Sequence, residues 1–190
     1  MIKAQRVFPE VDITIEMLEE AKIIADKIPD NLNNSIRHGD GRLAGAVGEV
    51  AFAKYINGIS KNTYQHDVVL SNGIQCEVKT KEREKMPLSK YEASVSDANY
   101  TQKCDYYVFT STLHDYSKVW IVGYLSPQEY KKIAWKRLKG ELDLSNNQVC
   151  KANCWNTYIY QLDDIKNLND EQKKKKEHSK KISSKKNNKI

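Results

Sequence analysis

Asp67, Glu77 and Lys79 fall within one short stretch, YQHDVVLSNGIQCEVKTK (residues 64 to 81), where they interrupt an otherwise Val-, Leu- and Ile-rich run. Charges in a segment built to enter a sheet are either a solvated face or a site, because buried charges need partners. Two carboxylates offer oxygen-only ligands, which suit a hard cation such as Mg2+, with Mn2+ as the alternative. A lysine beside them can hold a water or stabilise charge building on a phosphoryl oxygen. The chemistry open to this trio is metal-assisted hydrolysis of a phosphate ester.

That chemistry requires the two carboxylates to meet, which depends on hairpin register. A two-residue Asn72-Gly73 turn pairs Val68 with Glu77 and mixes apolar and charged residues on one face. A three-residue loop, Ser71-Asn72-Gly73 with Gly73 left-handed, pairs Leu70 with Ile74, Val68 with Cys76 and Asp67 with Glu77. In that register Val68, Leu70, Ile74, Cys76 and Val78 share one face. Asp67, Gln75, Glu77 and Lys79 share the other, with Val69 its only apolar member. Because side chains alternate with a period of two, a one-residue slip would scramble this separation. The three-residue loop is therefore expected, and Lys81 continues the charged face as a reserve cation.

The element before the hairpin carries a third carboxylate. GDGRLAGAVGEVAFAKYING reads as a helix over roughly residues 41–56, closed by Asn57-Gly58. It is small or apolar from Ala44 to Ala53 except for Glu49. Gly45 and Gly48 are poor helix formers, so they predict close approach of this helix to a neighbour or a substrate. A lone Glu in such a helix needs a partner, and the charged face of the hairpin can supply one.

Together, Glu49 in a small-residue helix, Asp67, nine intervening residues and Glu77-Val78-Lys79 resemble the PD-(D/E)xK nuclease superfamily over about residues 41–125. His66 stands where that pattern often has Pro. The resemblance implies a restriction-endonuclease-like α/β core of α-β-β-β-α-β type, a mixed sheet flanked by helices. It further implies that Asp67, Glu77 and Glu49 bind Mg2+ while Lys79 assists the attacking water. The implied activity is a nuclease acting on DNA rather than RNA, with endonuclease favoured over exonuclease. Compact single-domain enzymes of this sort serve phages, mobile elements or repair, and a homodimer would suit cutting both strands. The alternative on the same fold is a non-catalytic module binding nucleic acid or protein.

Around this centre, Arg37 and Arg42 stand near the start of the Glu49 helix, where a phosphate could be held. Gln102, just before a strand, reads either as a surface helix residue or as a candidate for orienting substrate or water, and Lys81 is a further substrate contact. His38 reads as a surface residue, with general base as the alternative, and Trp120, Trp135 and Trp155 as core and strand residues, with base stacking as the alternative.

The remaining elements frame these residues. DITIEMLEEAKIIADKI is an extra N-terminal amphipathic helix, with Ile15, Leu18, Ala21, Ile24 and Ala25 on one face. The segment from Glu82 to Lys103 holds a loop and a short helix. CDYYVFTSTL and KVWIVGYL are strands, the second central. Ser126-Pro127 opens a helix running to Gly140, and WNTYIYQL is a last strand.

The 190 residues suit a single domain over 1–165. The net charge of +6 is concentrated in residues 166–190, where ten Lys face three acidic residues. That polar tail is expected to be disordered and attractive to phosphate. No apolar run approaches a membrane span and no signal-peptide core is evident, so a cytoplasmic protein with no membrane partner is expected. Cys150 and Cys154 sit one helical turn apart, but without a His or a second Cys pair they fall short of a four-ligand zinc site.

Overall fold

The computed structural model describes residues 6–27, 41–61, 63–143 and 148–168. Arg37, His38 and most of the Lys-rich tail lie outside the described residues. After a short strand, β1 (Glu10–Asp12), Thr14 caps helix α1 (Ile15–Asp26), its side chain accepting from the Met17 N–H at 3.3 Å. The buried face of α1 is Met17, Ala21, Ile24 and Ala25. That is an i, i+4, i+7, i+8 stripe, and Ile15, two residues or roughly 200° from Met17, falls outside it. Ile15 is accordingly exposed, contrary to the expected face.

Helix α2 (Arg42–Ile56) ends as its sequence requires. Asn57 takes the left-handed conformation, Asn57 N–H donates to Lys54 O, and Gly58 N–H donates to Ala53 O. This is the Schellman closure.

Three antiparallel strands follow: β2 (Ile59–Ser60), β3 (Val68–Val69) and β4 (Gln75–Arg83). Next come β5 (Glu92–Ser96), a 3-10 turn over Asp97–Asn99, β6 (Tyr106–Leu113) and β7 (Lys118–Leu125). Strand β6 runs parallel to β4 and β7 antiparallel to β6, giving a mixed six-stranded sheet of order β1-β7-β6-β4-β3-β2. The chain is therefore α/β, a mixed sheet flanked by helices. Strand β7 lies inside the sheet, but only three-residue β1 covers it, so β6 and β4 are the central strands.

Both sheet faces are covered. Phe52 and Ile56 of α2 meet Val78, Val108 and Ile121 on one side. On the other, Tyr107, Phe109 and Val122 meet Tyr130, Ile159 and Leu162. Two glycines of α2 differ in role: a Cβ on Gly48 would stand 2.1 Å from Thr80 Oγ1 and 2.5 Å from Thr110 Oγ1, whereas one on Gly45 would meet nothing within 4 Å. The expected close approach is real at Gly48 and is made by sheet side chains.

Three expectations change in the second half. The helix opened by Ser126 is α3 (Pro127–Ile133), with the capping box of Ser126 and Glu129 and Pro at its start, but it stops at Ile133. Residues beyond it form β8 (Trp135–Arg137), then β9 (Leu142–Asp143), β10 (Gln148–Val149) and β11 (Cys154–Tyr158). Strand β11 joins β5 and β8 in a separate three-stranded sheet. Pairing with β11 and an ion pair from Arg137 to Glu92 draw Trp135 to Arg137 out of the helix. The connection from β4 to β6 thus holds β5 and one 3-10 turn where the resemblance implies a helix. Ordered structure also passes residue 165: Ile165 and Leu168 are both buried in the α2 side of the core. Among the described residues no helix is long and apolar enough to cross a membrane, and the four cysteines are free thiols.

Candidate functional site

The hairpin adopts the three-residue loop. Leu70 N–H donates to Ile74 O at 2.8 Å, Gly73 N–H donates to Leu70 O at 2.8 Å, and Gly73 has φ +85°. Asn72 Oδ1 accepts from Ile74 N–H and stiffens the turn. Val68 pairs with Cys76 and Val69 with Gln75, the expected register.

The ladder stops at Val68, one residue short of a direct Asp67–Glu77 pair. Asp67 N–H donates to Cys76 O, and the Asp67 carboxylate accepts from Val78 N–H at 2.7 Å. A side-chain oxygen thus takes the place of the next backbone carbonyl on the edge of β4, which satisfies a donor that would otherwise be buried and unpaired.

Glu77 and Lys79 lie on the β4 face shared with Tyr107 and Phe109, their parallel partners on β6. Neither carboxylate is surface decoration: Asp67 is 8% exposed and Glu77 5%. Lys79 Nζ donates to Glu77 Oε1 at 2.6 Å and to Gln102 Oε1 at 3.0 Å. Gln102 Nε2 donates to the same Glu77 Oε1 at 2.8 Å and to Tyr64 O at 2.7 Å. Gln102 is therefore a buried hub joining carboxylate, ammonium and the loop before Asp67. Among the described residues, Glu77 Oε2 is buried with no hydrogen-bond partner.

Glu49 joins this group electrostatically. Burial pushes its carboxyl up to about 7, the charge of Glu77 adds to the rise, and Lys79 opposes it. Burial also raises the Asp67 carboxyl well above the usual range, with Glu49 and then Glu77 adding, against Lys79 and the Val78 N–H. Burial, with the charges of neighbouring carboxylates adding, thus disfavours full ionisation of Glu49 and Asp67, and Lys79 opposes that rise in both.

Among the described residues no group of three or more His, Cys, Asp or Glu side chains is arranged as a ready-made metal site. The donor chemistry nonetheless fits a hard divalent cation. Among the described residues Glu77 keeps an unpartnered buried oxygen, and a positive ion nearby would offset the burial that raises Glu49 and Asp67 and the repulsion that adds to it.

The remaining sequence candidates separate. Arg42 is the partly buried first residue of α2. Lys81 is partly buried further along β4, and its charge is felt at the Cys150 thiol beside the small sheet. The sequence reading did not name the Tyr64 carbonyl or the ring stack that steadies the Gln102 segment. Tyr100 stacks on Trp155 at 4.4 Å and 9°, and Trp155 Nε1 donates to Asp97 Oδ1. No local pattern marks contacts made across more than thirty residues.

Comparison with protein-family models gives no match to this chain, and no curated protein matches it.

Proposed function

We propose that the protein is a metal-dependent nuclease, with DNA the favoured substrate and internal cleavage favoured over trimming from ends. One observation carries the reading: a buried Glu77 with a free carboxylate oxygen sits beside Lys79 and within the electrostatic reach of Asp67 and Glu49. The order of α2, three antiparallel strands and then β6 parallel to β4 supports a restriction-endonuclease-like core.

Asp67, Glu77 and Glu49 would hold Mg2+ or Mn2+. Such an ion, when bound, supplies Lewis-acid polarisation of the phosphoryl group and a water of lowered pKa. Lys79 supplies a fixed cation for charge developing on a phosphoryl oxygen, and it can hold the attacking water by hydrogen bond. Gln102 positions Lys79 and Glu77 relative to each other, so neither has to be ordered at the moment of reaction. Arg42 and Lys81 are substrate contacts in this reading.

A second reading, a non-catalytic binding module, draws on the closed Lys79–Glu77–Gln102 network, in which Glu77 Oε1 is already occupied twice. Incubation with supercoiled plasmid, single-stranded DNA and RNA in Mg2+ separates the two. Metal-dependent cleavage that EDTA stops, reduced at least about a hundredfold in Glu77→Ala and Lys79→Ala, is expected for the enzyme. Equal activity in the variants, or binding without cleavage, contradicts it.

A further inference from the structure

The loop before Asp67 is held with unusual thoroughness. Thr63 Oγ1 donates to His66 O at 2.8 Å and accepts from His66 N–H at 3.1 Å. Thr63 N–H donates to His66 O, and Lys61 N–H donates to Asp67 O at 2.7 Å. Lys103 N–H donates to Gln65 Oε1 at 2.6 Å, and Gln102 Nε2 donates to Tyr64 O. Backbone and side chains on both sides of Tyr64 are thus fixed to the site. The Tyr64 side chain itself is 59% exposed. Among the described residues no hydrogen bond or ring contact engages it.

An aromatic ring held in water on a pinned loop presents a ready surface for stacking. One amide, that of Gln102, separates the Tyr64 backbone from Glu77. The two residues that tie the loop at either end, Lys61 and Lys103, are exposed. An exposed ring on a loop that is tied through the backbones of two exposed lysines has the composition of the stacking platforms that hold single strands, where a ring takes a base and lysines take the backbone. In a paired duplex both faces of an internal base are covered by its neighbours, so only an unpaired, splayed or terminal base can lie on such a ring.

We propose that Tyr64 is the base-stacking residue of the site, taking an unpaired base next to the phosphate to be cut and biasing the protein toward single-stranded or frayed nucleic acid. This rests on the nuclease reading and names the substrate class for the same site. Aromatic stacking of this kind corresponds to about a five- to hundredfold effect on affinity per base.

The test uses the full chain in EDTA. The probes are a single-stranded DNA oligonucleotide carrying one 2-aminopurine and a relaxed closed-circular duplex, which has neither ends nor unpaired loops. Wild type should quench the fluorophore on binding. Tyr64→Ala should lose that quench and lower the single-strand to duplex affinity ratio about fivefold or more, whereas Tyr64→Phe should keep both. Because the ring is exposed, thermal unfolding of both variants should match wild type. A ratio and quench unchanged in Tyr64→Ala, or an equal loss on both probes, overturns the stacking role. If that result comes with intact Mg2+-dependent cleavage, the nuclease reading survives. A wild type that neither binds nor cuts any nucleic acid removes both.

Discussion

Two buried glutamates in this protein meet a cation in opposite ways. Glu92 of β5, 3% exposed, accepts from Arg137 Nη2 of β8 at 2.5 Å and ties the two outer strands of the small sheet across β11. Glu77 of β4, 5% exposed, accepts from Lys79 at a similar distance. The first is a pair of balanced charges. The second shares its lysine with Asp67 and Glu49 and leaves one oxygen unpartnered. Balanced charge holds strands together, whereas surplus negative charge in a buried place is unfavourable until a cation arrives. That surplus separates a candidate site from a structural ion pair.

The sharpest break of this comparison is at the structural pair. Arg137→Met should remove the guanidinium that Glu92 accepts from and destabilise the fold by about 3–5 kcal/mol, read as a large drop in the urea midpoint. Asp67→Asn should do the reverse in metal-free protein. Asn can still accept from Val78 N–H, one charge leaves the crowd, and the midpoint should stay level or rise by up to about 1 kcal/mol. A strong loss at Asp67 with none at Arg137 would invert the assignment.

The two glycines of α2 give a smaller effect. Gly48→Ala drives a methyl into Thr80 and Thr110 and should destabilise by about 1–3 kcal/mol. Gly45→Ala meets open space and should stabilise by up to about 1 kcal/mol through the helix backbone. Equal effects would mean that α2 is not pressed on the sheet at Gly48.

The pH response of Glu49 probes the site's side of the comparison. Its folded pKa of about 7 lies above the ordinary value of 4.5, so between those values the folded chain holds a proton that the unfolded chain has released. Stability from this group is complete at low pH and is lost as pH rises toward 7. Glu49→Gln removes the loss. Its melting temperature should match wild type near pH 4 and exceed it by about 7–14 °C at pH 8 in EDTA. A difference independent of pH would place Glu49 outside the group.

The parts of the fold that local rules govern could be read from residues alone. The hairpin register followed from side-chain alternation around Ser71-Asn72-Gly73, which brought Asp67 and Glu77 to the same end of the hairpin. The α2 terminus followed from Asn57-Gly58, and the α3 start from Ser126-Pro127. The small sheet was hidden because its strands pair over long separations, Glu92 with Tyr158 and Asn156 with Trp135. Helix periodicity through KKIAWKRLKG favoured a longer α3, which pairing with β11 and Arg137 reaching Glu92 reverse. Likewise, nothing near Gln102 in sequence shows that its amide will close on Glu77, Lys79 and Tyr64. The electrostatic surplus was partly legible, since three carboxylates and one lysine were singled out. How tightly they are buried required the tertiary structure.

The most direct test of that surplus is a titration of metal-free protein with Mg2+ and Mn2+, followed by thermal unfolding at pH 7.5. Wild type should gain several degrees at millimolar cation, and Glu77→Ala and Asp67→Asn should gain little or nothing. A wild-type melting temperature that neither cation moves, or a gain that both variants retain in full, would contradict a cation site at Glu77.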